Sequence, residues 1–108
     1  MKRIYRQGDV LVVETNTIPA GVEPVERDSG RLVLAYGEVT GHAHVVVGEA
    51  ELFAPADVAE LEERFLRVEQ EGAQLVHDEH STIDLPPGDY VVKRQREYSP
   101  QEIRTVAD

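Results

Sequence analysis

The chain has no cysteine. That excludes disulfides, thiolate zinc sites and cysteine nucleophiles, and it fits a reducing compartment. Long apolar runs are missing too, and nothing approaches the ~20 residues of a membrane-spanning helix. The opening Met1-Lys-Arg-Ile-Tyr-Arg6 is basic but runs directly into Gln7-Gly8-Asp9, without the apolar segment of a secretory signal. A cytoplasmic protein that does not enter a membrane is the expectation. Base is also scarce: 11 Lys and Arg stand against 21 Asp and Glu, a formal charge of −10. A surface of that sign repels phosphate backbone, which disfavours nucleic acid as a partner and leaves small molecules, proteins or a second copy of the chain. Familiar catalytic signatures are absent as well. No glycine-rich segment has the spacing and Lys-Ser/Thr ending of a phosphate loop, and no serine sits in a Gly-x-Ser-x-Gly elbow.

What is present suits one β domain over residues 1–108. The 41% of hydrophobic residues gather in short runs, such as Val10-Leu-Val-Val13, Leu32-Val-Leu-Ala35 and Val45-Val-Val47. Turn residues punctuate them at Gly8, Pro19 to Gly21, Asp28 to Gly30, Gly37, Gly41, Gly48, Gly72 and Pro86 to Gly88. Short runs at that spacing predict a mainly β fold, a small barrel or sandwich, with strands over 9–14, 31–36, 42–47, 64–69, 73–78, 82–85 and 89–97. Two short helices are expected. One covers 55–63, with Pro55 at its start and Val58, Leu61 and Phe65 at helical spacing. The other covers 99–106, with Ser99 as N-cap, Pro100 as first helical residue and Glu102 as its capping partner.

All four histidines fall in two tight groups, His42-Ala-His44 and His77-Asp-Glu-His80. Residues two apart on a strand face the same side, so His42 and His44 can offer two imidazoles to one ion. His77 and His80, three apart, can converge at a strand end or turn. Neutral imidazole ligates zinc, copper, nickel and iron. Glu38, Glu49, Asp78 and Glu79 are the nearest acids, able to ligate or to fix an imidazole tautomer. The pattern predicts a divalent transition metal, zinc, iron, nickel or manganese, held by His42, His44, His77 and His80. An open coordination position would make it a Lewis acid or an activator of water, with Glu38 as the candidate base. A closed tetrahedral site would instead be structural. The alternative is a non-enzymatic acidic interaction module that binds a protein or self-associates, its histidines tuning a response to pH. In that case the four could also be split between subunits.

His42-x-His44 followed by Glu49 resembles the first half of the cupin motif, in which two histidines and a glutamate hold a metal inside a β-barrel. The glycine expected after that glutamate is absent, and no histidine follows Pro86-Pro-Gly88. The departure favours His77 or His80 as third ligand over Glu49. The strings Arg6-Gln-Gly-Asp-Val-Leu11, Gly37-Glu-Val-Thr-Gly-His-Ala-His44 and Arg94-Gln-Arg-Glu-Tyr98 resemble a family of short uncharacterised bacterial and phage proteins, to which no activity attaches. On a strand, Arg94, Arg96 and Tyr98 share a face. The two arginines are candidates for anion binding through forked hydrogen bonds, and the competing reading pairs them with acids across strands.

Overall fold

A computed structural model describes residues 2–36, 42–55 and 63–94, with the backbone alone at residue 63. Eight strands account for most of them: β1 Ile4–Gln7, β2 Val10–Thr15, β3 Val22–Pro24, β4 Leu32–Tyr36, β5 Ala43–Pro55, β6 Glu63–His77, β7 His80–Leu85 and β8 Gly88–Arg94. They form one antiparallel sheet in the order β1-β2-β8-β6-β5-β3, with β4 also paired to β5 and β7 to β6.

The two long strands explain the architecture. The first half of β5 pairs with the second half of β6, between β4 and β7. The second half of β5 pairs with the first half of β6, between β3 and β8. The change comes where Gly48 opposes Ala73 and Ala50 opposes Val68, so β6 spends extra residues there. This irregularity shifts the inward positions of β6 from Leu66 and Val68 to Ala73, Leu75 and His77, keeping one face of the whole strand buried. The core gathers on that face, with Val10, Val12, Leu52, Leu66, Leu75 and Tyr90 almost fully enclosed. Gly48 permits the corner. Its φ is +116°, and a Cβ there would lie 2.9 Å from both Ala73 Cα and Gly72 O. Backbone strain and a contact that only backbone movement can relieve are expected to make Gly48→Ala destabilising by roughly 2 kcal/mol or more, read as a lower urea midpoint.

The β class and the single domain follow the sequence, with corrections. The sheet does not close into a barrel, since β1 and β3 end its path. Gly48 and Gly72 interrupt strands rather than separate them, and β1 and β3 are additional strands. No helix occurs among the described residues. Of the expected helix over 55–63, Pro55 closes β5 and residue 63 opens β6. Residues 56–62 lie outside the described residues, as does the expected helix over 99–106. No helix among the described residues is long and apolar enough to cross a membrane.

Candidate metal centre

Three segments meet at one end of the sheet: the β1–β2 turn, the start of β5 and the β6–β7 turn. Two residues, Asp78 and Glu79, separate β6 from β7, so His77 and His80 stand opposite each other across the ladder. Their ring centroids are 4.8 Å apart. Because β5 runs beside β6, with Val45 opposite Val76, His44 arrives next to His77, at 4.4 Å between rings. His80 lies 5.9 Å from His44, and His42 lies 5.9 Å from His77. The four predicted ligands thus form one contiguous group, with His44 and His77 buried.

At its outer side, His42 Nδ1 is 3.1 Å from Asp78 Oδ1 and 3.6 Å from Glu79 Oε1. One donor atom each from His42, His77 and Asp78 lies within 4.8 Å of the others. Donors on a tetrahedral zinc stand about 3.4 Å apart, given bonds of about 2.1 Å, so an ion here would draw this trio together. His77 Nδ1 also accepts a hydrogen bond from the Glu79 amide at 3.0 Å, so the neutral ring carries its proton on Nε2. Ligation through Nδ1 would replace that bond and move the turn.

At the inner side, Gln7 dictates the chemistry. Its side chain is 1% exposed, and its Nε2 donates to the carbonyls of Leu75 at 3.1 Å and Ser81 at 2.9 Å. The amide orientation is fixed by those two acceptors, so Oε1 must be what faces His44 Nδ1 at 2.9 Å. An oxygen accepts only, hence His44 donates through Nδ1–H and its Nε2 bears the lone pair. That Nε2 lies 3.6 Å from Asp9 Oδ1. Burial first, and then the neighbouring His77, push the His44 pKa down to about 4, with Asp9 opposing. The ring is therefore neutral at pH 7, the form that ligates. Asp9 Oδ2 accepts from Arg94 Nε at 2.8 Å, and the same guanidinium donates to the Tyr36 carbonyl at 2.9 Å.

Arg94 thus stands beside the histidines but binds an acid and a backbone oxygen, the arrangement the cross-strand reading anticipates. Glu38 and Arg96 lie outside the described residues. Glu49 is exposed, beyond His44 and Val46 on β5, and the open sheet gives the cupin half-motif no barrel. Gln7, Gly8 and Asp9 are the site residues that sequence reasoning missed. Gly8 reads there only as a turn signal. Its φ is +60°, and a Cβ on it would fall 3.0 Å from His80 Nε2 and 3.3 Å from His44 Cε1. Glycine takes this left-handed conformation without strain and lets the turn sit close to both rings.

No curated protein and no solved structure matches this chain. One family model does, over residues 6–95, a span that takes in every described site residue from Gln7 to Arg94. The chain belongs to the family described as a domain of unknown function, DUF8820.

Proposed function

We propose that this protein binds a divalent transition metal, and that the outer trio His42, His77 and Asp78 holds it. The observation that carries this reading is the convergence of all four histidines into one group, half of it buried, at one end of the sheet. Histidines serving an interaction surface would instead spread over an exposed face. Nitrogen and oxygen donors without thiolate suit zinc, iron, nickel or manganese. His42 and Asp78 are 26% and 60% exposed, so the metal would face solvent and keep a coordination position for water or a small-molecule substrate. A metal there acts as Lewis acid or lowers the pKa of its water. Glu79, close to His42, is the described carboxylate best placed to take a proton from it.

The test is elemental analysis of protein purified without an affinity tag. At least one equivalent of metal is expected in the wild type, with most of it lost in His42→Ala/His44→Ala and in His77→Ala/His80→Ala alike. Metal that binds the folded chain alone also raises the melting temperature by mass action, an increment both variants should lack. A wild type that carries no metal and takes up none at neutral pH would remove this reading in favour of an interaction module.

A further inference from the structure

The inner side of the group has a feature that the outer trio does not use. His44 Nε2 and Asp9 Oδ1 face each other at 3.6 Å. With the proton of the neutral ring on Nδ1, both atoms are acceptors, and two acceptors pointed at one space repel unless something positive stands between them. Their separation suits a shared cation. An ion about 2.1 Å from each subtends close to the tetrahedral angle over that span.

The far atoms of both side chains are arranged as they are around bound metals. A ligating imidazole characteristically donates its other N–H to an acceptor, and a ligating carboxylate is itself hydrogen-bonded. His44 donates Nδ1–H to the buried Gln7 oxygen, and Asp9 accepts from Arg94 through the oxygen turned away from His44. Each donor is thereby held by a group that leaves the inward atom to the shared space. The turn that carries Asp9 also packs on the His44 ring, since His44 Cε1 lies 3.3 Å from where a Cβ on Gly8 would stand.

We infer that His44 Nε2 and Asp9 Oδ1, facing each other at 3.6 Å, form a second divalent-cation position, distinct from the one at His42, His77 and Asp78. This deepens the metal-binding reading, because a protein with both positions carries a two-metal centre, with His77 in ring contact with His42, His44 and His80.

Zinc titration followed by calorimetry and by elemental analysis after desalting tests the inference on the wild type, Asp9→Asn and Asp78→Asn, each checked for native circular dichroism. Two equivalents are expected in the wild type. Asp9→Asn should weaken one of them at least about tenfold and leave the other, and Asp78→Asn should do the converse. A wild type that saturates at one equivalent, lost in Asp78→Asn and kept in Asp9→Asn, would overturn the second position while leaving the proposed function intact. One equivalent lost in both variants would mean a single site drawing on all the donors, and it too would overturn the second position. No binding at all would overturn both readings. Should Asp9→Asn fail to fold, long-range proton–nitrogen NMR of the wild type decides. The His44 Nε2 signal must shift during one of two zinc-binding steps, and an unmoved signal at saturation refutes the inference.

Discussion

Gln7→Met is expected to lower stability by roughly 3–5 kcal/mol, a large share of what a domain of this size possesses. Methionine nearly preserves the volume of glutamine, so packing is little changed and the loss comes from hydrogen bonds. The wild-type side chain serves three partners: the carbonyls of Leu75 and Ser81, and the ring N–H of His44. The substitution leaves these groups without their partner, at about 1–3 kcal/mol for each one fully buried. It also loosens the link between elements, because Gln7 bonds from β1 to Leu75 of β6 and Ser81 of β7. Urea unfolding checks the prediction through a lower midpoint at unchanged slope. A loss below about 1 kcal/mol would mean that the three hydrogen bonds of Gln7 contribute little to the fold. The same substitution frees the imidazole to exchange tautomers, so metal affinity should fall about 10- to 100-fold, as it does when ligand-supporting groups are removed elsewhere.

The metal-free protein is expected to lose stability as pH falls from about 6.5 towards 4, by roughly 3 kcal/mol from His44 alone. The unfolded imidazole takes its proton near pH 6.5, whereas the buried ring resists it until about 4. Between those values the unfolded chain binds more protons, so stability rises with pH across this window and is fully present above it. The basis is physical. A charged ring would sit in a dehydrated position beside His77 and His80, with Asp9 as partial compensation. Carboxylates titrate in the lower part of the same range, so the informative quantity is the difference between wild type and His44→Asn, measured by urea unfolding at pH 7.5, 5.5 and 4. The variant should lose less stability over that span. Parallel curves would show that His44 takes up its proton in the fold as readily as in the unfolded chain.

Much of the site was legible because its chemistry is local in sequence. His77 and His80 stand either side of a two-residue turn, and His42 and His44 bracket the start of a strand, so each pair could be proposed from spacing alone. That the pairs meet is a matter of register, set by Val45 opposite Val76, and spacing contains no such information. Gln7 was hidden for another reason. A buried glutamine beside a turn looks like any polar turn residue until its three partners are known, and they lie 37, 68 and 74 residues away. The strand pattern was similarly divided. Period-two alternation located most strands, but β6 looked like two, because its inward positions change parity around Gly72 and a glycine between apolar runs reads as a turn. Barrel closure was inferred from many short strands. The actual sheet obtains its enclosure from two long ones, bent at Gly48.

The bent pair β5 and β6 also has a bearing on the order of folding. Donors come from around residues 9, 44 and 78, with Asp9 35 residues from His44 and His42 36 residues from Asp78. Bringing such remote segments together is entropically slow. The β6–β7 turn can form early and by itself, and it presents two imidazoles. The third and fourth wait for the corner to bend, and the acid at Asp9 waits for β1 and β2 to dock. An ion arriving before that point meets an incomplete chelate from which it escapes readily. On the proposed metal-binding function, tight capture would come last on the folding route, and its lasting effect would be on how slowly the finished molecule comes apart.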